Sequence, residues 1–101
     1  MASRGLPEQL VASLNDAVAR LRLLGQSRWA TWLERDRSQI ASGDLRGVTH
    51  LLSAFGGSGS INDLVFPDES GAQYQTDPEL HVLLNRVYSL ADELHRAEDE
   101  R

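Results

Sequence analysis

The reading of this chain turns on residues 43–66, Gly43-Asp44-Leu45-Arg46-Gly47-Val48-Thr49-His50-Leu51-Leu52-Ser53-Ala54-Phe55-Gly56-Gly57-Ser58-Gly59-Ser60-Ile61-Asn62-Asp63-Leu64-Val65-Phe66, closed by Pro67. Gly43 is a helix-stop residue and Asp44 a helix cap. Leu45, Val48, Leu51, Leu52 and Phe55 recur at helical spacing, which predicts a helix over 45–55 with that face buried. Gly47 inside it either weakens the helix, by about 1 kcal/mol relative to Ala, or lets a neighbouring helix approach closely. His50 lies beside the buried face, and a lone histidine there reads as structural.

Three glycines within Gly56-Gly57-Ser58-Gly59-Ser60 allow positive φ, so this segment is a glycine-serine hinge. The hinge residues are Gly56, Gly57, Gly59, Ser60, Asn62 and Asp63. Glycine-rich turns into helices can cradle phosphate. Here the Walker spacing, its lysine and the third glycine of the dinucleotide fingerprint are absent, and the loop follows a helix instead of a strand. A tight structural turn is the expectation. Ser60-Ile61-Asn62-Asp63 has the letters of a capping box. One buried helical turn carrying Ile61, Leu64 and Val65 is the preferred reading of residues 61–66. A short strand is the alternative, because periodicity does not resolve a run as short as Leu64-Val65-Phe66.

Outward toward the start, Leu10, Leu14, Ala17, Val18, Leu21 and Leu24 form one apolar stripe, with Pro7 and Glu8 placed for a first turn. That predicts a helix near 7–24, stopped by Gly25. Ser27 is the natural cap of a second helix near 28–42, with Trp29, Trp32, Leu33, Asp36 and Ile40 on one side. The two tryptophans read as core. Asp36 is the odd residue on that stripe, expected to pair with an arginine at its edge. Beyond Pro67, Asp68 to Thr76 reads as a polar surface loop. Asp77-Pro78-Glu79 starts a last helix near 78–97, with Leu80, Leu83, Leu84, Val87, Leu90, Ala91 and Leu94 on its apolar side. The tail Glu98-Asp99-Glu100 sets acids at the wrong end of the dipole and should fray. The fold expected is all-α: a small antiparallel four-helix bundle around Trp29, Trp32, Leu51, Phe55 and Leu83. One domain is expected over residues 1–101, ordered over about 6–97.

Length and composition fit that reading. The chain has 101 residues, 41% hydrophobic and 25% charged, which suits one small ordered domain. Cysteine is absent, which excludes disulfides and thiolate metal sites. No apolar run approaches the roughly 20 residues of a membrane span. Met1-Ala2-Ser3-Arg4-Gly5 leads into an amphipathic segment unlike a signal peptide, so a cytoplasmic protein without membrane contact is expected. Net charge is −5, split as +2 over residues 1–50 (seven Arg, five acids) and −7 over 51–101 (three Arg, ten acids). An acidic second half disfavours nucleic acid, whose affinity rests on phosphate neutralisation, and suits a basic protein partner.

Trp29-Ala30-x-Trp32-Leu33, then Gly43-Asp44, then Leu51 through Val65 resemble a family of short bacterial helical proteins of unknown function. Its mark is a central Gly-Gly-x-Gly-Ser-x-Asn-Asp-Leu segment. The similarity runs from about Leu6 to Ala97, and Ser58 stands where methionine is more usual. The resemblance implies a compact helical domain and supplies no catalytic residues.

No catalytic, cofactor or metal residue is expected. Ser58, Ser60, His50 and Asp63 supply triad letters without a nucleophile elbow. His50, His81 and His95 lack close ligand spacing. The expected function is a non-enzymatic protein-binding module, in its concrete form an immunity or antitoxin-like protein covering a basic partner such as a toxin. Self-association is the alternative, and a small hydrolase using the Gly-Ser loop is a third reading. Asp68, Glu69, Glu79, Asp92 and Glu93 would steer the partner, with Tyr74 and Tyr88 as apolar anchors.

Overall fold

The computed structural model describes residues 5–56 and 59–99. Four helices dominate: α1 (Leu6–Leu23), α2 (Ser27–Ala41), α3 (Arg46–Leu52) and α4 (Pro78–Asp99), with a 3-10 turn at Ile61–Asp63. A two-strand antiparallel ribbon, β1 (Phe66–Pro67) and β2 (Tyr74–Gln75), lies before α4, in the register Phe66↔Gln75 and Pro67↔Tyr74. An all-α bundle is therefore the broad architecture, with this small sheet added.

Both glycine stops act through the same device. The Gly25 N–H donates to the Arg22 carbonyl and the Gln26 N–H to that of Leu21. Gly43 and Asp44 do the same to Ile40 and Gln39. This is the Schellman pattern, and its left-handed residue is glycine in each case, φ +76° and +90°. The links are so short that α2 packs on α1 directly. α1 also packs against α4, and α3 touches both α2 and α4, so the four helices close a ring.

Inside that ring sit Leu10, Leu14, Ala17 and Leu21 of α1, Leu33 and Ile40 of α2, Val48 and Leu51 of α3, Ile61, and Leu80, Leu84, Val87 and Ala91 of α4. Leu51 is wholly buried as expected, but Trp29, Trp32, Phe55 and Leu83 are only partly buried and pack on the outside of this cluster. The aliphatic side chains fill the narrow centre of so small a bundle, and the larger rings are left to cover its seams.

Other local expectations change. α3 ends at Leu52 instead of Phe55, because Ser53 Oγ donates to the His50 carbonyl and the chain tightens into i→i+3 bonds at Ala54 and Phe55. Ser27 is the first residue of α2 and Gln26 its cap, with no side-chain cap bond. The cap of α3 is Leu45 and not Asp44; Asp44, one position earlier, accepts the Arg46 N–H at 3.1 Å, and its carboxylate is held in two prongs by the Arg46 guanidinium. The capping box does not form: Ser60 donates its hydroxyl to Asn62 Oδ1, and Asp63 Oδ2 accepts the Gly59 N–H. The helical turn and the strand foreseen as alternatives both occur, in succession, with Val65 left exposed between them. Residues 68–73 close the ribbon, held by Asp68 Oδ1 accepting from the Ser70 N–H and hydroxyl. α4 continues to Asp99, with Asp92–Arg96 (3.1 Å) and His95–Asp99 (3.6 Å) pairs one turn apart, and Glu100 of the expected fraying tail lies outside the described residues.

Candidate functional site

Two concave regions flank α3. The first lies between α2 and α3, about 560 Å³, lined by Thr31, Glu34, Arg35, Asp36, Ser38, Gln39, Arg46 and His50. Gly47 makes it: a β-carbon there would lie 3.0 Å from Gln39 Cβ and 3.1 Å from the Asp36 carbonyl oxygen. The close-approach reading of Gly47 is the one the fold adopts, and it brings His50 onto Asp36.

Asp36 is 1% exposed, and its Oδ1 lies 2.6 Å from His50 Nδ1. The expected arginine partner is thus replaced by a histidine from the next helix. Trp32, one turn before Asp36, stacks on the His50 ring at 4.6 Å between centroids and 17° between planes. Burial is the strongest influence on the Asp36 carboxyl and pushes its pKa up; His50, Arg35 and the Trp32 indole pull it down without prevailing. No formed hydrogen bond reaches Asp36 Oδ2 or Trp32 Nε1, both buried. The chemistry is that of an oriented imidazole: with Nδ1 held by a carboxylate, Nε2 is the ring nitrogen left for other work. Reasoning from sequence noted both residues but gave Asp36 an arginine partner and read His50 as structural. The signal was the acid on the apolar stripe of α2, facing a helix whose Gly47 permits contact.

The second region is a cleft of about 370 Å³ between the end of α3, the following turn and α4, lined by Leu52, Phe55, Gly56, Asn62, Asn85, Tyr88 and Asp92. Phe55 and Tyr88 form an aromatic pair at 5.3 Å. Four residues singled out in the sequence, Gly56, Asn62, Tyr88 and Asp92, meet here. Gly56 and Gly59 take φ of +84° and +79°, and the Gly56 N–H donates to Asn62 Oδ1, so this turn is tied to side chains further along it. Gly57 and Ser58 lie outside the described residues.

The other candidates are dispersed. Asp68, Glu69 and Tyr74 sit on the ribbon, with Tyr74 70% exposed. Glu79 is at the start of α4, thirteen residues before Asp92 and so roughly 20 Å along the helix. It pairs with Arg20 at 2.9 Å. The same arginine holds Asp77 through two bonds of 2.8 Å, and Asp77 also caps α4 by accepting the Leu80 N–H. The Arg20 hydrogen bond is the main reason the Asp77 carboxyl titrates below its ordinary value. Asp68 is likewise depressed, chiefly by Ser70. Of the five proposed steering acids, Glu69 and Glu93 alone have no partner among the described residues. Among the described residues the triad letters do not assemble either: His50 is on Asp36, Ser60 on Asn62 and Asp63 on Gly59.

Among the described residues no helix is long and apolar enough to cross a membrane, and no three His, Asp or Glu side chains gather as metal ligands. The family DUF6966, described as a domain of unknown function, matches residues 22–75, from the end of α1 through β2. No curated protein and no solved structure matches the chain.

Proposed function

The chain belongs to the DUF6966 family, and from that premise we propose that it is a protein-binding module whose α3–α4 cleft docks a basic partner protein. The observation that carries this reading is the cleft itself. Tyr88 remains 44% exposed while its ring leans on Phe55, and Asp92 stands at the rim. An aromatic that keeps one face in water beside a hydrogen-bonding turn is the arrangement of a desolvated anchor. The −7 charge of residues 51–101 supplies the complementary field for a basic surface. Glu93 beside the cleft and Glu69 on the ribbon are the acids free to steer, because Asp68, Glu79 and Asp92 are engaged within the chain. The concrete form of the reading is an immunity or antitoxin-like protein covering a basic toxin, both in a bacterial cytoplasm, without catalysis of its own.

Co-purification from the native host, followed by kinetics with the purified partner at two salt concentrations, tests it. Association should slow as salt rises and slow again in Glu93→Lys, while Tyr88→Ala should chiefly speed dissociation. A stable homodimer that brings down no partner would replace this reading with self-association. Salt-independent association would remove the acidic face from it.

A further inference from the structure

The α2–α3 pocket has the opposite character, and we propose that it binds a phosphoryl group, gripped by Arg35 and by His50 Nε2. Six of its eight lining residues, Thr31, Arg35, Ser38, Gln39, Arg46 and His50, carry N–H or O–H donors. Both carboxylates are already engaged: Glu34 Oε2 meets Arg22 at 2.8 Å, and Asp36 meets His50. Arg46 is held by Asp44. Arg35 is the pocket's guanidinium without a hydrogen-bonded partner among the described residues, in a chain of net charge −5. A donor-lined hollow with a guanidinium that no hydrogen bond holds, on an otherwise acidic molecule, calls for an anion with several acceptor oxygens. A phosphoryl dianion meets that need better than a carboxylate, because its oxygens reach donors on both walls and accept Arg in two prongs.

His50 gives the site its directed donor. The buried Asp36 side chain orders the ring through Nδ1, so that an Nε2–H would donate to the anion in a line Asp36–His50–phosphoryl oxygen. The charged groups around the ring are Glu34, Arg35 and Asp36 from α2 and Arg46 from α3, with Arg22 and Asp44 answering Glu34 and Arg46. With those two pairs neutral, Arg35 is the positive charge left beside the Asp36–His50 contact.

The test is a nitrogen-15 NMR titration of the whole chain with inorganic phosphate, phenyl phosphate, a phosphoserine peptide and acetate, at matched ionic strength. The expected result is a saturable shift at His50 Nε2 on adding phosphate, absent at His81 and His95. Arg35→Ala, which leaves the Asp36–His50 contact intact, should weaken phosphate at least about tenfold, the loss of one charge-assisted contact worth about 1.4 kcal/mol. Tightest binding of the phosphoserine peptide would assign the group to a modified protein; tightest binding of phenyl phosphate would assign it to a small ester. Equal shifts at all three histidines, acetate binding as tightly as phosphate, or an unchanged affinity in Arg35→Ala would each overturn the proposal.

Discussion

On the α2 side of α3, Gly47 lets two backbones close to contact and His50 meets a carboxylate that is 1% exposed. On the α4 side, Leu52 and Phe55 face a cleft that stays open, and Tyr88 keeps 44% of its surface in water. One seven-residue helix thus has a polar group enclosed by packing on one side and an aromatic left uncovered on the other. The difference separates two ways a small bundle can hold a site. The enclosed group has its geometry fixed within the chain. The uncovered ring gains its burial only from something that arrives.

The largest expected effect removes what the two faces share. Leu51, wholly buried between them, anchors α3. Leu51→Ala should cost about 2–5 kcal/mol and loosen both faces together. Denaturant unfolding followed through the tryptophans and through Tyr88 should show both probes moving; a change confined to one would mean that α3 does not couple them.

A smaller change separates the faces. Gly47→Val drives methyl groups into Gln39 Cβ and the Asp36 carbonyl, neither of which can swing away. The expected loss is about 1–3 kcal/mol, with the His50 resonances disturbed and those of Tyr88 unmoved. Equal disturbance at Tyr88 would erase the distinction.

A third test sets two carboxylates against each other. Burial holds the Asp36 pKa above its ordinary value, so the stability it lends is full below about 3.9 and is lost as pH rises through the raised value. Arg20 holds Asp77 below its ordinary value, so its contribution is present above about 3.9 and is lost as pH falls through the depressed one. Relative to the native chain, Asp36→Asn should gain stability with rising pH and Asp77→Asn should lose it. Urea midpoints across the carboxylate range read both slopes, and slopes of one sign would refute the assignment. The smallest effect belongs to the open cleft: Tyr88→Ala should cost no more than about 1 kcal/mol in the free chain. A larger loss in denaturant titration would make Tyr88 a core residue and not an anchor.

Much of the bundle was legible because amphipathic spacing and glycine stops are local signals: Gly25 and Gly43 end α1 and α2 where the pattern says they should. The candidate sites were less so. Whether Asp36 meets an arginine or His50 depends on how closely α2 and α3 pack, and only Gly47 carries that information in the sequence. The tryptophans misled because large apolar area argues for the core, while the space inside four short helices suits leucine better. Tyr74–Gln75 was missed because a two-residue strand has too little length for alternation to show. Asp92 was named as a steering acid from the charge of the second half and Tyr88 as an apolar anchor beside such acids, but the Phe55 ring that completes their cleft comes from beyond the end of a different helix.

Arg20 and Asp77 are 57 residues apart in the chain, whereas α1 meets α2, and α2 meets α3, across single tight turns. Loop closure over that distance is the costlier search, so the last helix is expected to dock after the first three. The arginine that neutralises the front of α4 is then a latch, and α4 is the segment most able to come away while the rest holds. Native-state hydrogen exchange should find the α4 amides opening at lower free energy than those of α1, and Arg20→Ala should widen that gap. Docking at the α3–α4 cleft would close the molecule's least secure seam, so the partner that covers Tyr88 would also slow the opening of the fold.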